Sequence, residues 1–385
     1  MFNTDYLSVG ITAGGVDVPL DSVVLQKASI ISSVQQNVPV AQIVLADNAG
    51  FFQKVVSLVD GLQVSISIGP TINTVKTIPF RLFLPKSNVG QVSSSIVLTM
   101  YYDAPLYFGG TTNVSIQSTS TDAIKQIAQQ VSLTANVDAA GDLQTWIPAN
   151  QRWCQFASGI AKAGWSSSTS AFLLGLNLDG VLLYKNVGAY TYASNVPTLR
   201  LGQVESDGSY IPVSSWEQRA VSGFNNMRGA YHGAQQSQSY LASTGISSTN
   251  TTVQKTKGTQ FLYMNKQVKS QLDSAKLFKW SVIDCGNTHP NYQTAIYQNA
   301  RLLKTNSQRL SVLTMQQTNL DLLDKLQVQA FVPSDSGETS KALSGPSGFY
   351  FIVGKTVFAD IRGVYCEKLE LARDGTNEDL QQQQV

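Results

Sequence analysis

From Leu62 to Gly69 the chain reads LQVSISIG, with Leu62, Val64, Ile66 and Ile68 alternating against Gln63, Ser65 and Ser67. A two-residue period of this kind predicts a strand with one buried face. SSSIVLTMYY (93–102) and TTNVSIQS (111–118) repeat the signal, bounded by the turn formers PKSNVG and DAPLYFGG. One helical piece interrupts the strands at NAGFFQKVVSLVDG, where Phe52, Val55, Val56 and Val59 form a stripe that Gly61 ends. Residues 1–117 are therefore expected to be a barrel or sandwich.

At Ser118 the period changes. STSTDAIKQIAQQVSL places Ser, Thr and Asp before Ile124, Ile127, Ala128 and Val131 at helical spacing. In NQRWCQFASGIAKAGW, Asn150 is the expected cap, Trp153, Phe156, Ala157, Ile160 and Ala161 form the apolar face, and Gly164 is the expected stop. FLLGLNLDGVLLY joins two apolar runs through Asp179-Gly180, a strong hairpin signal. Residues 118–194 thus read as a small α/β insertion.

Strand periodicity returns near Val196 in TLRLGQVESDGSYIPVSSWEQRAVSG, and residues 195–376 are expected to form a second β-domain. Within it, 229–260 is Ser/Thr/Gln-rich with little periodicity and reads as a polar loop, ordered or mobile. NYQTAIYQNARLLKTNSQRL is expected to be a helix with Ala295, Ile296, Ala300 and Leu303 on one face. Residues 377–385 are expected to be a flexible tail. The fold class is mainly β with an α/β insertion.

Composition narrows the function more than it names it. Charged residues are 14% of the 385, against about 25% in a typical soluble chain. Gln, Ser, Thr and Asn make up the polar surface, which suits faces covered by neighbouring subunits. A net charge of +2 implies no global pull toward nucleic acid or membrane. The N-terminus lacks a signal-peptide pattern and no apolar run reaches membrane-spanning length, so a soluble protein made in a cytoplasm is expected.

Candidate chemistry is sparse. Cys154, Cys285 and Cys366 are odd in number and far apart, which does not make a disulfide framework. His289 follows Cys285 by four residues in CGNTH, but no second pair completes a zinc site, and His232 stands apart. Gly354-Lys355-Thr356 has the last three letters of a phosphate-binding loop. Five residues earlier stands Phe349 where that loop needs glycine, and the intervening Tyr350–Val353 are strand formers. The expected structure there is a strand, a tight turn at Gly354-Lys355 and a returning strand. Asp321 and Asp324 in DLLDKL read as a turn or strand edge. No catalytic, cofactor-binding or metal-binding residue is expected.

Three stretches resemble the central hub protein of contractile phage tails, a family that includes the base of VgrG-type spikes. They are VPVAQIVLADNAGFF with VDGLQVSISIG, then LQTWIPANQRWCQFASGIAKAGW, and finally LSGPSGFYFIVGKTVFADIRGVYCEKLELARDG. In the last, Ser347, Gly348, Tyr350, Ile352, Arg373, Asp374 and Gly375 match the closing pattern of hubs. The turn Val-Gly-Lys-Thr departs from relatives that place a histidine there.

The resemblance implies two tail-tube-like β-barrels per chain and a homotrimer forming a pseudo-sixfold ring. Such a ring adapts a sixfold tail tube to a threefold central spike and leaves a channel for tape-measure protein and DNA. The implied partners are tail-tube or tube-initiator ring proteins, the spike and the tape-measure protein, in a virion baseplate assembled in the host cytoplasm. No specific nucleic-acid binding, no membrane insertion and no enzymatic activity are implied. The chain stops soon after Arg373-Asp374-Gly375 without a β-helix needle or lysozyme-like segment, so the spike is expected to be a separate polypeptide. The alternative reading is a carbohydrate-binding or adhesin-like β-protein on a virion surface.

Overall fold

The computed structural model describes residues 8–20, 23–71, 74–89, 94–167, 170–190, 195–202, 210–220, 232–242, 245–255, 281–284, 308–330, 346–360 and 365–373. The first strand-built module holds β1 (Ser8–Ala13), β2 (Val16–Asp17), β3 (Val24–Ser33), β4 (Val40–Ala46), the one-turn helix α1 (Phe51–Lys54), β5 (Gln63–Gly69), β6 (Lys76–Val89) and β7 (Ser94–Tyr102). Its sheet runs β3-β4-β7-β6-β5-β1-β2. Alternation in the strands becomes a closed interior: Ile30, Ile43, Leu45, Ile66 and Phe80 are all 0% exposed. Each such side chain contributes about 1.5–3 kcal/mol on burial.

The α/β unit follows, with α2 (Pro105–Gly109), β8 (Thr111–Thr112), β9 (Ile116–Ser118), α3 (Ser120–Gln130), β10 (Thr134–Val137), β11 (Gln144–Trp146), β12 (Gln151–Arg152), α4 (Trp153–Ala163), β13 (Phe172–Leu176) and β14 (Val181–Asn186). α3 and α4 pack on the three-stranded sheet β10-β14-β13. Thr119 caps α3 by accepting from the Asp122 amide, and Ile124, Ile127 and Ala128 point into the core. TTNVSIQS forms two short strands rather than one, β8 and β9, which pair with β12 and β11.

The second module holds β15 (Thr198–Leu201), β16 (Ile211–Val213), β17 (Ser215–Ala220), a separate three-stranded sheet of β18 (His232–Ala242), β19 (Gly245–Lys255) and β20 (Ser281–Asp284), then β21 (Gln308–Thr314), β22 (Lys325–Ala330), β23 (Gly348–Asp360) and β24 (Tyr365–Arg373). Around its own core the order is β15-β22-β23-β24-β21-β17. β16 pairs β15 and passes through Ser214 into β17, which pairs β21, so the ring closes on a two-part strand.

This order repeats the first module. There β1-β5-β6-β7-β4-β3 occupy the same places in the same chain sequence, with β2 beside β1 as β16 is beside β15. Only the first strand differs in direction. β1 turns into β2 through Gly14-Gly15, both with positive φ, and is antiparallel to its neighbours. β15 is parallel to β16 and β22, which requires a longer return connection. The two modules join edge to edge where β3 pairs β23 from Gly354↔Ser33 to Asp360↔Lys27.

Several expectations are corrected. Gly354-Lys355 is not a turn; β23 runs straight through it with a register irregularity between Ile352 and Gly354, because β24 and β3 hold both of its edges. The helix expected from Phe52 to Val59 is a single turn capped by Asp47, whose carboxylate accepts from the amides of Phe51 and Phe52. Phe52 and Val56 are buried, whereas Val55 and Val59 are exposed. α4 is capped at Arg152 rather than Asn150, which adopts φ 58 two residues earlier. Gly164 does end α4, but in an extended conformation; its role is space, since a Cβ there would collide with the Tyr184 hydroxyl.

The polar stretch 229–260 contains the β18–β19 hairpin. A strand without an apolar face leaves no alternation to read. The helix expected over 291–310 lies outside the described residues up to 307, and Gln308–Leu310 begin β21. The tail 377–385 also lies outside them.

Candidate functional site

The tip of the β13–β14 hairpin, Asn177–Gly180, reaches the place where the two modules meet. The Asp179-Gly180 turn forms as the dipeptide predicts, with Asn177 Oδ1 accepting from the amides of Asp179 and Val181. The Asn177 side-chain amide donates to Asp321. Asp179 pairs with Lys76 at the start of β6, 2.6 Å away. Ser32 on β3 donates to the Leu176 carbonyl at 2.9 Å, and Tyr190 donates to the Leu323 carbonyl at 2.8 Å. The insertion therefore touches both modules through hydrogen bonds at one locus.

Asp321 and Asp324 form the turn beside it. Asp324 accepts from the Asp321 amide and Asp321 from the Leu322 amide, both at 2.8 Å, with Leu323 at φ 64. Burial pushes the Asp324 carboxyl above its ordinary value, opposed by the hydrogen bond from the Asp321 backbone.

Next to this turn, Lys355 and Glu367 make a buried ion pair, Nζ to Oε2 3.1 Å. The remaining Lys355 protons go to the carbonyls of Leu320 (2.9 Å) and Thr318 (3.2 Å). Glu367 also accepts from the Thr318 amide at 3.0 Å, the Thr318 hydroxyl, and the Tyr365 hydroxyl at 2.6 Å. Burial, then the Glu367 charge, raise the Tyr365 hydroxyl well above its ordinary value. The charges are satisfied internally, and the result is a clamp holding residues 318–320 against β23 and β24. A cavity of about 210 Å³ lies beside it, lined by Ile78, Leu178, Gln317 and Asn319 among others.

The closing motif residues also come together. Arg373 Cζ lies 4.8 Å from the centre of the Tyr350 ring, Nε donates to Gln308 at 2.6 Å, and Nη1 donates to the Ser347 carbonyl. Ser347 in turn accepts from the Ala330 amide, and Ile352 is in the core. Asp374 and Gly375 lie outside the described residues.

A wider cleft of about 740 Å³ opens between the loop after β3 and α4. Its walls carry Gln35, Gln36, Asn37, Gln155, Ser158 and Lys162, amides and hydroxyls with one ammonium. Cys154 and Cys366 are buried thiols; Cys285 and His289 lie outside the described residues, and His232 opens β18. Among the described residues no group of three or more His, Cys, Asp or Glu is placed to hold a metal. Among them, too, no helix is long and apolar enough to cross a membrane.

Neither protein-family models nor curated proteins match the chain. Solved structures do. A tail protein from Neisseria meningitidis is 13% identical with a TM-score of 0.58, the match covering 96% of this chain and 97% of that one. The 43 kDa tail protein of prophage MuSo2 from Shewanella oneidensis is 11% identical, also with a TM-score of 0.58, over 97% of this chain and 99% of that one. The chain has a tail-protein fold. Within the tail-protein fold, Arg373, Tyr350 and Ser347 are structural partners, and the Lys355 clamp ties loop to sheet. Of the clamp, Lys355, Tyr365 and Glu367 all stand in the closing stretch that the sequence singles out, though only Lys355 belongs to a motif read there; Thr318 lies outside it. Asn177 is legible only as part of a hairpin turn.

Proposed function

We propose that this protein is the hub of a contractile-tail baseplate, a homotrimer whose three chains form a pseudo-sixfold ring between a sixfold tail tube and a threefold spike. One observation carries the reading: a single chain builds the same strand order twice and joins the copies edge to edge through β3 and β23. Three such chains present six modules, which matches a sixfold tube, while the three α/β units present a threefold face. The tail-protein names of the two similar structures, each aligned over nearly its whole length, support the same class of role. Closed cyclic symmetry limits growth around the ring.

The ring would leave a channel for tape-measure protein and DNA, and a net charge of +2 suits a conduit to which DNA does not adhere. The polar satisfaction of the Lys355 clamp supports a structural rather than an enzymatic role, as does the two-module architecture. Light scattering of the purified protein, alone and with a spike protein, together with averaged projection images, tests the proposal. A trimer with a central hole is expected. A monomer at micromolar concentration that stays monomeric with the spike would overturn it.

A further inference from the structure

The ring has to be closed by contacts between chains, and the junction inside one chain supplies their template. β23 pairs β22 only over Gly348–Phe351; past the register irregularity it overhangs, and that free edge is filled by β3. In the first module β6 has the same form. It pairs β5 up to Arg81, passes an irregularity between Phe83 and Lys86, and continues along β7 to Val89. Among the described strands none pairs this overhang on the β5 side.

The complementary half lies in the second module. β17 is the counterpart of β3, yet among the described strands it pairs β21 alone. The burial of equivalent residues reflects the difference. Leu82 opposite Met100 corresponds to Ile352 opposite Leu371, each the last core pair before the irregularity. Carried across the sheets through Ala41 and Leu310, this register matches Ile30 to Gln218 and Ala28 to Trp216. Ala28 is 0% exposed beneath β23, while Trp216, a much larger apolar side chain, is 39% exposed.

We infer that β17 of one copy pairs antiparallel with the β6 overhang of the next copy, repeating between chains the β3–β23 pairing within each. This rests on the ring reading above and specifies its contact. Among the described strands each chain carries one such edge of each kind, so the contact is head-to-tail, and it closes after three copies if both it and the internal junction turn by about one sixth of a circle. Open strand edges otherwise invite uncontrolled association. The register follows as well: Phe358 lies opposite Ser29, and their counterparts are Asn88 and Glu217.

The test is a chain with Asn88→Cys and Glu217→Cys in a Cys285→Ser background, where the remaining thiols of Cys154 and Cys366 are buried. Directly opposed strand residues have Cβ atoms about 4.5–5.5 Å apart, within reach of a disulfide or a short bismaleimide. The expected product is a covalent ladder ending at three times the 41.6 kDa chain mass, with each single-cysteine variant giving no trimer band. Hydrogen exchange on the unaltered protein is a second readout: amides of 86–89 and 215–220 should slow by about tenfold or more on trimer formation. A trimer by light scattering that shows neither the ladder nor the protection overturns this contact and leaves the ring intact. A protein that is monomeric throughout overturns both.

Discussion

The guanidinium of Arg373 occupies the space that any side chain at Gly348 would need. Gly348 also has φ 142, a conformation that L side chains rarely adopt. Gly348→Ala should therefore lower stability by about 1–3 kcal/mol. Repeating the substitution in an Arg373→Met chain removes the collision and should cost less, a difference that urea midpoints of the four proteins would measure. Equal costs in both backgrounds would mean that backbone strain, not the guanidinium, sets the requirement for glycine.

The Lys355–Glu367 pair separates two effects of charge burial. Glu367 is 1% exposed, so Lys355→Met alone leaves a buried carboxylate without its cation and should destabilise by about 3–5 kcal/mol. Lys355→Met with Glu367→Leu replaces the pair by apolar groups and should recover much of that loss. Chemical denaturation of both variants checks the ordering.

At the hairpin tip, magnitude decides which contact matters. Asp179 and Lys76 are 54% and 38% exposed at their side chains, so Asp179→Asn should change stability by less than about 1 kcal/mol. Asn177 is 5% exposed and serves Asp179, Val181 and Asp321 at once. Asn177→Ala should cost about 2–3 kcal/mol, with Asp321 left under-satisfied. Thermal melts of the two variants should separate clearly.

Alkaline pH should unfold the protein through its buried tyrosines. Burial holds the Tyr107, Tyr184 and Tyr365 hydroxyls above the ordinary value of 10.0. The unfolded chain therefore releases these protons first, so their stabilising contribution is complete below pH 10 and declines as pH rises beyond it. Each contributes a slope of up to about 1.4 kcal/mol per pH unit. Tyr184→Phe, which loses only the hydrogen bond to Ser120, should flatten the decline measured between pH 9 and 11.

Elements whose partners lie nearby are readable in the chain. LQVSISIG is a strand with Val64, Ile66 and Ile68 buried, and the helix after Thr119 buries the stripe its spacing predicts. Asp179-Gly180 turns the hairpin it should. The failures have one character. Gly354-Lys355 looks like a turn until β3, more than 300 residues earlier, is seen to hold its edge. The β18–β19 hairpin has no apolar face to announce it, and Thr318 and Glu367 become significant only when Lys355 is placed between them.

Periodicity of two and of 3.6 residues, together with the turn and capping residues, was enough to determine a mainly β chain interrupted by an α/β unit, since burial of one face acts on residues a few positions apart. The pairing of β3 with β23, the repetition of one strand order in the two modules and the meeting of Asn177 with Asp321, 144 residues away, were decided by tertiary structure alone. A backbone edge offers the same N–H and C=O groups whatever its side chains, so which strand occupies it depends on the shape of the assembled whole.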